Sequence, residues 1–148
     1  MNVLQGLVRK VSIAPIDGTG ATVTALGIDL ASAGWIGVKE MMMELFVGNL
    51  AADVNSVVWQ ESGVSNFASD TATVATFTAP TAAAGDGKIW TAFAATGGSR
   101  KRYHRCLITC GAGASLVCAV FYGYGAAQVP STATTRGITG EQQLPVPA

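Results

Sequence analysis

The side chains best suited to chemistry lie close together near the end of the chain. His104 is the only histidine, and Cys106 would share its face of an extended strand. A cysteine–histidine pair can form a nucleophile, but catalysis also needs a third group that orients the histidine. The sequence supplies no such group at a recognisable spacing. We therefore predict that the protein is not an enzyme and that His104 is a core or rim residue.

Metal binding is the second chemistry that these residues suggest. Three cysteines and one histidine match the four ligands of a structural zinc site. However, Cys106 and Cys110 would lie roughly 13 Å apart on one strand, too far to share a metal or a disulfide. A bond between Cys106 and Cys118 stays geometrically possible. We predict no metal and no cofactor, and we expect three reduced, buried thiols that pack as small apolar side chains.

A basic run precedes Cys106, from Arg100 to Arg105. Its tyrosine and histidine could stack on single-stranded nucleic acid, but nine basic and nine acidic residues cancel, so a nucleic-acid partner is not expected. One interpretation is a solvent-exposed segment that leads into a strand. A docking patch for an acidic protein surface is the other, since arginine is enriched in interfaces. On the second interpretation the predicted interface residues are Arg100, Lys101, Arg102, Tyr103 and Arg105.

The pattern places these residues at the start of a closing β-hairpin. Tyr103–Cys110 and Ala114–Tyr124 are rich in β-branched, aromatic and thiol side chains, and a glycine-containing loop of three residues joins them. In this register Cys106 would face Cys118 across the pair. The hairpin face opposite to these cysteines is then more apolar than a solvated face needs. We predict that it contacts another subunit through Tyr103, Leu107, Val117 and Phe121.

The rest of the chain predicts an all-β, antiparallel sandwich or barrel, because short alternating segments are separated by Gly and Pro turns every 8–12 residues. Val38–Val47 is the one ambiguous segment. Its Met, Glu and Leu favour a helix, but its odd positions from Met41 to Val47 are all apolar, so we predict a strand with a methionine core stripe. The other predicted strands are Gly6–Ile13, Ala21–Leu26, Val54–Glu61, Ala72–Ala79 and Lys88–Ala95.

Composition limits the surroundings of this sandwich. The chain is 49% hydrophobic and only 12% charged, about half of the usual ~25% charged share. Much of its surface is therefore expected to be covered. The first ten residues lack the apolar core of a signal peptide, and no apolar run approaches the ~20 residues that span a bilayer. We expect no membrane contact and assembly in a reducing cytoplasm.

The last segment, residues 125–148, differs from the sandwich domain at residues 1–124. It contains three prolines and many threonines, with no periodic apolar stripe. Two interpretations stay open: a disordered, removable tail, or an extended arm that orders on a neighbour. Leu144 and Val146 would anchor such an arm and complete the predicted interface residues.

Two segments resemble the small head decoration, or cement, proteins of tailed phages. Lys88–Gly123 shows a strand, a basic Arg-Lys-Arg-Tyr entrance, another strand, a short turn and a final strand. Gly27–Ser62 is similar to the central hairpin of the family, which ends in a Gln-Glu-Ser-type segment. The three cysteines and the long tail depart from the pattern.

This resemblance implies a jelly-roll-like β-sandwich on the outer surface of a virion capsid. Its implied partners are the major capsid protein and further copies of itself, as a homo-dimer or homo-trimer that cements neighbouring capsid subunits. Two alternatives remain open. One is a carbohydrate- or receptor-binding sandwich of a phage tail or fibre, with Trp35, Trp59 and Trp90 exposed. The other is a single-jelly-roll capsid protein that forms shells alone.

Overall fold

The computed structural model describes residues 7–25, 27–32 and 34–125, which form two antiparallel β-sheets packed face to face. The first sheet has the order β1-β9-β4-β7, and the second has the order β2-β8-β5-β6, with β3 also paired to β8. No helix among the described residues is long and apolar enough to cross a membrane. The strands are β1 (Leu7–Asp17), β2 (Thr22–Thr24), β3 (Ile28–Asp29), β4 (Glu40–Leu50), β5 (Val54–Ser62), β6 (Thr71–Phe77), β7 (Ile89–Ala95), β8 (Tyr103–Cys110) and β9 (Ser115–Tyr124).

The strand order is that of a jelly roll. The strands pair from the outside of the sequence inwards: β1 with β9, β2 and β3 with β8, β4 with β7, and β5 with β6. Such a ribbon of paired strands, folded so that successive segments alternate between two sheets, is a jelly roll. The prediction of an all-β antiparallel sandwich is confirmed. The predicted arm spans residues 125–148, and all of it except Gly125, including Leu144 and Val146, lies outside the described residues.

The predicted closing hairpin is wrong. β8 belongs to the second sheet and β9 to the first, so the loop between them crosses the gap between the sheets. The loop between β4 and β5 crosses beside it. The two crossings are joined where the Gly111 N–H donates to the Asp53 carbonyl at 3.0 Å and the Ala51 N–H donates to the Ala114 carbonyl at 2.7 Å. Cys106 therefore lies opposite Trp59 on β5, not opposite Cys118.

This crossing reverses the predicted faces of β9. Val117 and Phe121 are 2% and 0% exposed and lie in the core, whereas Leu116 is 46% exposed. The prediction that Val117 and Phe121 contact another subunit is therefore wrong. In a hairpin, directly opposed residues share one face of one sheet. Because β9 instead lies in the opposite sheet from β8, the other alternating set of its side chains faces the core.

The core itself follows the predicted alternation elsewhere. The odd positions of β4 point inward, and Met41, Met43 and Leu45 are all buried. The segment is thus a strand with a methionine core stripe, as predicted. Trp59 lies in the middle, with its ring edge-on to Phe121 at 5.2 Å between ring centroids.

Several strand boundaries differ from the sequence-based prediction, and the end of β1 is the most informative case. β1 continues through Pro15 to Asp17 instead of ending before the proline. β1 is an edge strand, and its pairing with β9 contains two register shifts in this region. Proline is tolerated at edges and bulges because no ladder hydrogen bond is lost there.

Candidate interaction surface

The basic run is largely occupied by contacts within the chain. Arg102 makes a two-pronged ion pair with Asp29, at 2.7 and 2.8 Å. Lys101 pairs with the Asp70 carboxylate and also donates to the Asp70 carbonyl at 2.8 Å. These hydrogen bonds hold the pKa values of both carboxyl groups below their usual range. The cations therefore tie β8 to β3 and to the loop before β6.

The two remaining arginines of the run are also engaged. Arg100 reaches the buried carboxylate of Glu61 at 3.4 Å. Arg105 donates to the Gln60 side chain at 3.0 Å, and its guanidinium lies 4.2 Å from the centroid of the Phe67 ring. Of the predicted interface residues on β8, Tyr103 and Leu107 are half-buried on the outer side of the second sheet. The run thus has a structural role in the monomer that the sequence did not reveal.

The candidate catalytic pair, His104 and Cys106, lies in the core. His104 is buried, accepts a hydrogen bond at Nδ1 from the Trp59 indole at 3.1 Å, and lies with Nε2 2.9 Å from the Lys101 carbonyl. These partners define a neutral imidazole with both nitrogens occupied. Burial lowers the pKa of His104. Burial likewise raises the pKa of the Cys106 thiol to about 12, so the reactive thiolate is disfavoured.

The three thiols do not come together. Cys106 and Cys110 are buried, as predicted, whereas Cys118 is half-exposed on the outer side of the first sheet. All three are free. Within residues 7–25, 27–32 and 34–125, no three His, Cys, Asp or Glu side chains are grouped so that they could hold a metal ion.

A large apolar surface covers the outer side of the first sheet, and we call it the outer face. One row of neighbouring residues runs across its four strands as Arg9, Tyr122, Met42 and Phe93. Two rows further along β9, Cys118, Phe46 and Ile89 lie side by side. The most exposed members are Phe93 at 71%, Ile89 at 56% and Leu116 at 46%.

The outer face is wide enough to serve as a binding surface. Strands about 4.8 Å apart and rows about 7 Å apart give its central part a footprint of roughly 400 Å², which includes the charged side chains of Arg9 and Glu44 as well as apolar ones. Exposed apolar patches of a few hundred Å² on a monomer often serve binding. The row between the two described above holds the carboxylate of Glu44 beside Val120.

Glu44 and Tyr122 form the polar centre of the outer face. Burial, followed by the hydrogen bond to Glu44 and the charge of Glu44, raises the pKa of Tyr122 to about 12. The phenol therefore stays protonated and donates to the carboxylate at neutral pH. Arg9 lies directly opposite Tyr122 and adds a positive charge at the β1 side.

The outer side of the second sheet is different in character. It carries several threonines beside the apolar side chains of Leu107 and Val58: Thr22 faces Thr109, Thr24 faces Leu107, and Val58 lies between Leu107 and Thr76. The hydroxyls of Thr22 and Thr109 lie 3.3 Å apart. Among the described strands, the large exposed apolar side chains all belong to the first sheet.

Sequence reasoning missed the outer face because it assigned the apolar residues of β9 to the wrong side. One signal was available in β7, whose segment Ile-Trp-Thr-Ala-Phe-Ala-Ala is apolar at both alternating sets of positions. A strand with one solvated face would carry mostly polar residues at one of these two sets. The even positions of β4, Met42 and Phe46, carried the same signal.

No protein-family model matches the sequence, and no curated protein matches it. Among solved structures, the chain is similar to the PBSX exported protein XepA, with a TM-score of 0.55 and 12% identity. The match covers 95% of this chain and 43% of XepA, so this chain spans less than half of that protein's length. A chain from the Bacillus endospore appendages, described as disulfide-linked pili, aligns over 83% of this chain and 91% of its own. Its identity is 11% and its TM-score is 0.42. The likeness to XepA shows a shared all-β fold.

Proposed function

We propose that this chain is a structural protein of a phage particle that lies on the outside of the capsid and cements neighbouring major capsid protein subunits. The observation that carries the proposal is the outer face, an apolar surface on one side of a rigid sandwich whose opposite side is rich in threonine. We infer that this face, rather than the basic run, lies against the capsid. Many such contacts, repeated by the capsid symmetry, add up to firm binding without one tight interface.

Three further features support the proposal. The fold is shared with a phage-related exported protein. The candidate nucleophile and base are buried and occupied, which favours a role without catalysis. The sequence of two long segments resembles the decoration proteins. A particle-bound role also gives a use to a chain with so few charges, since its exposed apolar side chains would be covered.

A sugar-binding role gains little support from the tryptophans. Trp35 and Trp59 are buried, and Trp90 packs against the core from the inner side of β7. A stacking platform for a sugar needs an exposed aromatic ring at the rim. The described tryptophans are instead part of the sandwich interior.

The test is binding of the purified chain to particles assembled from the major capsid protein encoded in the same genome. The wild type should co-sediment with these particles and saturate at a fixed ratio. Leu116→Lys places a charge on the outer face at an exposed site and should weaken binding at least tenfold. Thr24→Lys places the same charge on the outer side of the second sheet and should bind like the wild type.

Two results would overturn the proposal. One is the absence of wild-type binding to assembled particles. The other is equal binding by both lysine variants when their thermal unfolding shows that both are folded. Closed shells formed by this chain alone would instead support a shell-forming capsid protein.

A further inference from the structure

β7 is a seven-residue edge strand, and no other strand in the described part of the chain lies along its outer edge. Among the described strands it pairs only with β4, in an unbroken register from Glu40 opposite Ala95 to Phe46 opposite Ile89. The strand Ile89–Ala95 contains no charged residue and no proline. An edge of this kind is a template for pairing with another chain.

The other described edges carry protective devices. β1 contains Pro15 and two register shifts against β9. β6 has a register shift against β5, and β2 and β3 are three and two residues long. Bulges, prolines and short strands are the usual means of blocking an edge. Within the described part of the chain, β7 alone is both long and regular.

The backbone groups of alternate β7 residues point away from the sheet. The Lys88 carbonyl accepts from the Val47 N–H at 3.0 Å, and the Thr96 N–H donates to the Lys39 carbonyl at 2.9 Å. Because these directions alternate along a strand, the even-numbered residues bond to β4. The edge that no described strand pairs with is therefore formed by the N–H and carbonyl groups of Ile89, Thr91, Phe93 and Ala95.

The side chains of β7 also have no neighbouring strand on that side among residues 7–25, 27–32 and 34–125. The two largest on the outer face, Ile89 and Phe93, are the most exposed apolar side chains described, at 56% and 71%. On the inner side, Trp90 and Ala92 pack against the core but stay partly exposed. A further strand beside β7 would cover both sets.

We propose that β7 pairs antiparallel with β7 of a second copy of this chain, about a two-fold axis at Thr91. In that register Ile89 of each copy lies opposite Phe93 of the other, on both sides of two facing threonines. Aromatic and β-branched side chains are favourable cross-strand neighbours. The strand is thus complementary to itself, and a two-fold contact needs no second matching edge, which the protected β1, β2 and β6 would not offer.

The expected interface is small. Seven residues at about 3.3 Å each give an edge of roughly 23 Å, and three hydrogen-bonded residue pairs give about six backbone hydrogen bonds. This is the lower end of specific interfaces, below about 1,200 Å² in total. The dimer should therefore depend on concentration. It would join four strands from each copy into one sheet and place two outer faces side by side.

This inference goes beyond the proposed function and does not depend on it, because its test uses the purified full chain without capsids. Thr91→Pro removes an N–H that points away from β4, so the monomer loses no ladder hydrogen bond, while the added strand can no longer pair. In sedimentation velocity the wild type should shift from monomer to dimer as its concentration rises. Thr91→Pro should stay monomeric over the same range.

Leu116→Lys is the matched control, because it changes the outer face on β9, which β4 separates from β7. It should dimerise like the wild type, even where it no longer binds capsid particles. Amide hydrogen exchange gives a second reading: Ile89, Thr91 and Phe93 should exchange more slowly in the dimer than in dilute monomer. Phe93→Lys, at an exposed position, replaces Thr91→Pro if the proline variant does not fold.

Three results would overturn this inference. A wild type that stays monomeric at high concentration would contradict it, as would a dimer that persists in folded Thr91→Pro. Open-ended polymers would contradict the two-fold arrangement and indicate head-to-tail pairing.

Discussion

His104 shows how a residue with catalytic potential becomes part of the core. Its two ring nitrogens are occupied by the Trp59 indole and the Lys101 carbonyl, and burial lowers its pKa. The nearby Glu61 acts in the opposite direction and raises it, but less than burial lowers it. The imidazole is therefore a neutral link between β5 and the basic run.

The lowered pKa of His104 predicts that stability falls in mild acid. The unfolded chain binds a proton near pH 6.5, whereas the folded chain resists it until a lower pH, so protons favour the unfolded state between these values. The free energy of unfolding should decrease from pH 7.5 to pH 5.5. Urea denaturation at both pH values measures this. In His104→Gln the decrease should be largely absent; an unchanged decrease in that variant would contradict the assignment.

At this scale, chain-local chemistry was predictable and long-range pairing was not. A lone histidine without an orienting partner predicted a structural residue, and buried thiols followed from their apolar strand. The ion pairs of the basic run were invisible, because Asp29 and Asp70 lie 73 and 31 residues away from Arg102 and Lys101. Only the fold brings these carboxylates to the cations. Cys118 differed because its strand was placed with the wrong face inward.

At the scale of strands, most segments were predicted from their alternation, but the connection between β8 and β9 was not. A short loop with glycine between two strands suits a hairpin and a sheet crossing equally well. A jelly roll, however, places its last two strands in different sheets. The fold type implied by the family resemblance and the predicted hairpin were therefore incompatible.

Two substitutions in β9 test its orientation. Phe121→Ala should lower the free energy of unfolding by about 3–5 kcal/mol, because Phe121 is fully buried against Trp59. Leu116→Ala should change it by no more than about 0.5 kcal/mol, because Leu116 is half-exposed. Urea denaturation of dilute monomer measures both. Equal losses, or a larger loss for Leu116→Ala, would contradict the described faces.

The close packing of Gly111 at the sheet crossing leads to a further prediction. A Cβ atom at Gly111 would overlap the Asp53 carbonyl oxygen that its own N–H binds. Gly111→Ala should therefore destabilise the fold by about 1–3 kcal/mol, as crowding of a packed site does. Gly97→Ala is the control, because a Cβ atom there meets no atom within 4 Å. Thermal unfolding compares them, and equal melting temperatures would argue against the packed crossing.

At the scale of the whole molecule, the two sheets present different surfaces. The low share of charged residues predicted that surface would be covered, and the outer face of the first sheet is where apolar side chains are exposed. Composition alone could not assign that surface to one sheet, because the faces of β4, β7 and β9 depend on the topology. The basic run stands out in the sequence as a charged segment, yet Arg100, Lys101 and Arg102 form ion pairs within the chain.

The central claim is that the outer face lies against a phage capsid. Cryo-electron microscopy of capsids saturated with this chain tests it directly. The account predicts a jelly-roll density on the outside of the capsid, with Met42, Phe46 and Leu116 turned toward the capsid surface. Density with the threonine side of the second sheet against the capsid, or no added density at saturating concentration, would contradict the account.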